Sequence, residues 1–317
     1  AAAFSPEWIR LAFAAAPHIT FRPVVREAVA PYVRPETPET RSLSGEEARV
    51  ALERDWLHQA GGRPTLERVR QEIGWARELA ARLAAVPGGA ADFAGELAAL
   101  ADLEQRAAAS AASAAELYLR VREVKRRIVF RNPCLDFGKV LFVDMPYPQG
   151  SEWRHETRHR LGYMAVPGAR LLILDGLHPG GKLTQLMPQA PLHGSFWRPD
   201  LSWDGSTVLF CFKPHNEKSF HLYEIGVDGS GLRQLTDGPF DDLDPIYLPD
   251  GQHLLFSTTR AHTYVRCMPP TNAFVLARCD RAGRNLYLVS ANNEPDYLPS
   301  VMNDGRLIYT RWEYTDK

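Results

Sequence analysis

Asp244-Pro245-Ile246-Tyr247-Leu248-Pro249-Asp250-Gly251-Gln252-His253-Leu254-Leu255-Phe256 is the stretch whose reading decides the fold. An acidic residue and a proline open a short strand, Asp250-Gly251 turns the chain, and an apolar run follows. Asp-Gly suits a two-residue hairpin, because glycine accepts positive φ without a Cβ clash. The same phrase stands upstream as Arg198-Pro199-Asp200-Leu201-Ser202-Trp203-Asp204-Gly205-Ser206-Thr207-Val208-Leu209-Phe210. It returns downstream as Leu298-Pro299-Ser300-Val301-Met302-Asn303-Asp304-Gly305-Arg306-Leu307-Ile308-Tyr309. Gly205 and Gly251 are 46 residues apart, and Gly251 and Gly305 are 54 apart.

A second phrase alternates with the first. Leu222-Tyr223-Glu224-Ile225 leads into Asp228-Gly229-Ser230-Gly231-Leu232, as Leu171-Leu172-Ile173-Leu174 leads into Gly180-Gly181-Lys182-Leu183 and Phe274-Val275-Leu276-Ala277 into Gly283-Arg284-Asn285-Leu286. Leu183 and Leu232 are 49 residues apart. Repeats of about 40 to 50 residues with several short strands each predict the blades of a β-propeller. From Lys139 about three and a half blades can be drawn before Lys317. A ring closes with about four to eight blades, so the expectation is a propeller that continues in a longer protein.

Three regions are expected. Residues 1–43 are a proline-rich arm. Residues 44–130 are helical: Ser44 and Glu47 form a capping-box pair ahead of Leu52 and Trp56, with Gly61-Gly62 as the stop. Pro64 opens a second helix carrying Leu66, Val69, Ile73, Ala76, Ala80 and Leu83 at spacings of three and four. A third helix runs from about Asp92 with Leu97, Leu100, Leu117, Val121, Val124 and Ile128 on its stripe, giving a helical hairpin or small bundle. Residues 131–317 form the propeller. The fold class expected is therefore α+β and multidomain.

Composition narrows the functional classes. The chain of 317 residues is 45% hydrophobic and 24% charged, with a net charge of −1. That balance gives no whole-chain electrostatic reason to bind nucleic acid. Arginine outnumbers lysine 31 to 6, read as codon bias. No stretch reaches the ~18 apolar residues of a membrane span, and no signal peptide can be read at Ala1. Cys134, Cys211, Cys267 and Cys279 form no CxxC, CxxCH or zinc-finger spacing. Cys211 sits in an apolar strand as a small core residue, and Cys267 with Cys279 flanks a long hairpin loop where a disulfide would fit an oxidising compartment.

His155-Glu156-Thr157-Arg158-His159 matches HExxH. On a helix, His155 and His159 would share one face and hold zinc, with Glu156 as general base. The segment falls between strands, however, with Ala165 where a third ligand would stand, and polar loop residues are the alternative reading. Eight of the ten histidines lie in the β region, where propeller loops could bring them together. Asp237, Asp241, Asp242 and Asp244 form an acidic stretch before Pro245. Clustered carboxylates suit calcium, while aspartates beside Gly and Pro also cap turns. GxSxG, Walker A and GxGxxG motifs are absent.

The run Leu232-Arg233-Gln234-Leu235-Thr236-Asp237-Gly238, with Asp244 to Gly251 after it, resembles the TolB-like (WD40-like PD repeat) β-propeller family. Phe220 to Thr236 and Asn303 to Tyr314 are similar to proteins related to the hydrazine synthase alpha subunit, whose middle domain is a six-bladed propeller. The resemblance covers about residues 138 to 317 and leaves the helices aside. It implies an extracytoplasmic (periplasmic) bacterial protein in which the propeller is a non-catalytic scaffold holding a protein partner or small ligand at its face. The alternative is part of a metal- or haem-dependent enzyme: a zinc hydrolase through residues 155–159, or a redox protein. No CxxCH is present to carry a haem.

Overall fold

The computed structural model describes residues 40–86, 92–109, 112–145, 168–190, 194–214, 219–266 and 272–313, together with Glu7. The chain divides into two units, Ala1–Pro35 and Glu36–Lys317, and every element named below belongs to the second. Four helices precede thirteen strands among the described residues, an α+β order: α1 Gly45–Gln59, α2 Leu66–Ala84, α3 Ala94–Ala108 and α4 Ala114–Val129 come first.

The helix starts follow capping chemistry. The Ser44 hydroxyl accepts from Glu47 N while the Glu47 carboxylate takes Ser44 N, so two orphan donors are satisfied at once. Thr65 and Ser113 cap α2 and α4 in the same way, each accepting from the third residue of its helix. Val69, Ile73, Ala76, Ala80 and Leu83 are buried as their spacing predicts, in one core with Trp56, Leu100, Leu117, Val121, Val124 and Ile128. The expected third helix is two helices. Ser113 starts a new one, and Leu97, assigned to the inner stripe, is exposed.

The strands form four antiparallel sheets. The first holds β1 (Lys139–Asp144), β2 (Arg170–Asp175) and β3 (Lys182–Leu186). The second is the meander β4 (Ser195–Leu201), β5 (Thr207–Lys213), β6 (His221–Gly226) and β7 (Arg233–Gln234). The third repeats it as β8 (Asp242–Tyr247), β9 (His253–Thr258), β10 (Val275–Asp280) and β11 (Tyr287–Leu288), and β12 (Asp296–Val301) with β13 (Leu307–Arg311) makes the fourth. Alternation along β5 explains why it reads as an unbroken apolar run. Val208, Phe210 and Phe212 enter a core shared with Leu171 and Leu186 of the first sheet. Leu209 and Cys211 enter the core shared with Leu254, Phe256 and Cys279 of the third. Sheets thus stack face to face through continuous apolar layers.

The Asp-Gly turns are longer than the two-residue hairpin expected. Leu248 N donates to His253 O and Gly251 N to Leu248 O, so the closing hydrogen bond encloses four residues and five connect β8 to β9. Asp250 Oδ1 accepts from Gln252 N and His253 N, which makes the aspartate the organiser of the turn, with Gly251 at φ 65°. Asp204 and Asp304 accept from Ser206 N and Arg306 N at the matching turns.

Each inner strand also carries a bulge at the residue before proline. Arg198, Asp244 and Leu298 have φ of 41°, 52° and 57°, and the register of β4, β8 and β12 shifts at each. Left-handed backbone at non-glycine residues costs free energy, and its return at three matching positions makes it part of the repeat. The bulges lie beside one another: Arg198 Nε is 3.7 Å from Asp244 Oδ1, and Leu298 N donates to Asp244 Oδ2 at 3.3 Å.

Cys279 is a free thiol paired in register with Leu254 inside the core, and burial pushes it up to about 12. The disulfide expected from its position is therefore corrected: Cys279 is in the body of β10, facing apolar side chains, while Cys267 lies outside the described residues.

Candidate functional site

Antiparallel pairing places the starts of β4, β6, β8, β10 and β12 and the ends of β5, β9 and β13 at one end of the sheets. Two joints between neighbouring sheets are built there on the same plan. Asp242 N donates to Phe220 O at 2.9 Å, and Asp296 N donates to Phe274 O at 2.8 Å. Each Phe and Asp are 22 residues apart. Each aspartate is fully buried and clamped by an arginine from the paired strand or just beyond it. Arg260 Nε and Nη2 reach Asp242 at 3.2 and 2.7 Å, and Arg311 Nε and Nη2 reach Asp296 at 2.8 Å each. Arg170 and Asp144 pair across β2 and β1 of the first sheet, but there the arginine is buried and the aspartate side chain partly exposed.

The first joint carries more buried polarity than the second. Thr258 Oγ1 donates to Asp242 Oδ1, and Asp241 Oδ1 accepts from Phe220 N at 2.9 Å. Lys213 and His221 are buried beside this pair, with His221 Nδ1 3.8 Å from Asp242 Oδ2 and without a hydrogen-bond partner. Burial pushes the Asp241 carboxyl up to about 7. The Asp242 charge adds to the rise, whereas the Phe220 amide and the charges of Lys213 and His221 oppose it. At Asp296 burial also raises the pKa, but the hydrogen bonds from Arg311, Ser290 and Asn292 outweigh it and hold the group low. Pro295 stands where the first joint has Asp241.

Three carboxylates of the acidic stretch each have partners within the protein. Asp242 and Asp244 are in β8, Asp241 immediately precedes it, and adjacent residues of a strand point to opposite faces. Asp241, Asp242 and Asp244 go to Phe220, to Arg260 with Thr258, and to the neighbouring bulges. Among the described residues no group of three or more His, Cys, Asp and Glu could hold a metal ion. His155, Glu156 and His159 lie outside the described residues, in the connection from β1 to β2. Of the described histidines, His221 and His262 are at the joint end, while His178, on the β2–β3 turn, and His253, at the start of β9, are at the opposite end, so these four do not converge.

Nothing in the sequence singles out Lys213, Arg260 or Asp296, and His221 stands out only as one of eight histidines of the β region. Phe220 with Asp242 and Phe274 with Asp296 are offset by 54 residues, the same step as Gly251 to Gly305. That step was the available signal. The opposite end has its own inter-sheet tie. Tyr247 OH donates to Glu224 at 2.7 Å, Arg281 bridges Glu224 and Thr207, and Arg233 holds the second Glu224 oxygen. Tyr247 belongs to the stretch that set the fold.

No family model matches the chain, and no curated protein sequence matches it. Solved structures do. A putative TolB from Agrobacterium tumefaciens is 18% identical with a TM-score of 0.36, over 46% of this chain and 48% of that one. Hydrazine synthase from Kuenenia stuttgartiensis is 17% identical with a TM-score of 0.42, over 54% and 27%. TolB from Acinetobacter baumannii is 12% identical with a TM-score of 0.29, over 63% and 54%. The chain therefore spans about half or less of the length of these structures. Both families that the sequence resembles are among its structural neighbours.

Proposed function

We propose that the β region is a run of blades in a TolB-like propeller and that the chain is a non-catalytic binding scaffold of an extracytoplasmic bacterial protein. The face that engages a protein partner or small ligand is the joint end of the sheets. The observation that carries this reading is the repeated Phe-to-Asp joint with its arginine clamp, which ties successive sheets at one end. Such a rigid end presents the connecting loops at fixed spacing, and binding residues concentrate on loops held by a rigid scaffold. Tyr264, on the β9–β10 connection at this end, is 64% exposed. No helix among the described residues is long and apolar enough to cross a membrane.

The test places a photo-crosslinking residue at Tyr264 or at Trp203, which is exposed on the β4–β5 turn at the opposite end. Cross-linking is then carried out in extracytoplasmic extracts of the source cell. Discrete adducts from position 264 and none from 203 are expected. Adducts from 203 alone, equally from both, or from neither overturn the assignment of the face.

A further inference from the structure

A groove of about 740 Å³ runs between α1, α4 and the β2–β3 turn, a size that suits a small ligand. Its floor is apolar: Leu52, Trp56, Phe130, Phe137 and Leu177 line it, with Phe130 and Phe137 well exposed. The charged side chains on its rim are unequal. Arg49 is neutralised by Glu46 and Glu53, and Glu123 is paired with Arg120. Arg126 and Arg127 have no ion pair among the described residues. Arg126 Nη2 donates to Leu177 O at 2.5 Å, and its guanidinium lies 4.4 Å over the Phe130 ring. Those contacts orient the cation without neutralising it, and burial holds its pKa below the ordinary arginine value. A partly desolvated guanidinium beside an open apolar wall is short of one thing, an anion with an apolar body.

We infer that this groove binds a small amphipathic carboxylate, its anionic head on Arg126 and Arg127 and its hydrocarbon body along Trp56, Phe130 and Phe137. The charge excess excludes a cationic amphiphile, and the apolar floor leaves a bare inorganic anion with little to bind. This site lies at the seam between the helices and the first sheet, where Gly180 approaches Ala48 closely enough that a Cβ on it would come within 3.2 Å. The inference does not rest on the propeller reading.

The experiment is isothermal titration of the full chain with decanoate below its micelle concentration, alongside decanol, decyltrimethylammonium and inorganic phosphate. Saturable one-to-one binding of decanoate is expected, at least tenfold weaker for decanol and undetectable for the cation and for phosphate. Arg126→Gln should weaken decanoate about tenfold or more, and Arg127→Gln, which loses no ion pair to the described residues, about three- to tenfold. Circular dichroism and the melting temperature establish that both variants are folded. Absence of saturable decanoate binding overturns the inference, as does equal binding of the cation or affinity unchanged in both folded variants.

Discussion

Phe220 and Asp242 meet across the second and third sheets as Phe274 and Asp296 meet across the third and fourth, with the same spacing and nearly the same amide bond. Around that shared backbone the side chains differ. The first joint buries Lys213, His221, Asp241 and Asp242 together, and Arg260 is only 19% exposed. The second has Pro295 in place of Asp241, and Arg311 is 38% exposed. The backbone bond and the clamped aspartate are therefore what the architecture requires, and the extra buried charge is particular to one joint. A clamp near water is cheap to break, whereas a clamp in the interior leaves its surviving partner desolvated.

The largest contrast should come from removing the two aspartates. Asp242→Ala leaves the buried Thr258 hydroxyl without its acceptor and the half-buried Arg260 guanidinium with only the Asp237 carbonyl, and should cost about 3 to 5 kcal/mol. Asp296→Ala should cost about 1 to 3 kcal/mol, because Arg311 can turn to solvent. Urea unfolding of both variants measures the difference, and equal losses would remove the distinction between the joints.

Asp241 supplies the next effect, through pH. Its folded carboxyl titrates near 7 against an ordinary value of 3.8, so the folded state holds the proton more tightly. Its contribution to stability is fully present below pH 3.8 and is lost as pH rises through about 7. The slope is at most about 1.4 kcal/mol per pH unit in that window. Asp241→Asn should flatten the stability profile from pH 4 to 7 and make the protein the more stable of the two at pH 8. A variant as pH-dependent as the parent would place the titration elsewhere.

The smallest effect belongs to His221. Its Nδ1 is buried without a hydrogen-bond partner, so His221→Phe removes an unsatisfied polar atom and should change stability by no more than about 1 kcal/mol. A loss of several kcal/mol on thermal unfolding would show that the imidazole is needed to hold Asp242.

Much of this fold was legible where the chemistry is local. The Ser44–Glu47 capping box, the Val69 to Leu83 stripe and the Asp-Gly turns are each decided within a few residues. The break before α4 was hidden because the run from Ala107 to Ala112 has neither Gly nor Pro, and only Ser113 marks it. The bulges were illegible at Arg198 and Leu298, because neither side chain favours positive φ and tertiary packing imposes it. The joint is hidden in the sequence because its partners belong to different sheets, and nothing local marks Phe220 or Phe274 as the residue whose carbonyl receives an aspartate amide. The apolar groove escaped for a similar reason: Trp56 and Arg126 looked like ordinary helix positions until the β2–β3 turn was set against them.

The equivalence of the two joints is the centre of the account, and residue-resolved amide hydrogen exchange tests it most directly. Asp242 N–H and Asp296 N–H each donate to a phenylalanine carbonyl on the neighbouring sheet, so both should show protection well above that of the exposed turn amides. An Asp296 amide, or an Asp242 amide, exchanging at the rate of an open turn would contradict the claim that one device joins successive sheets.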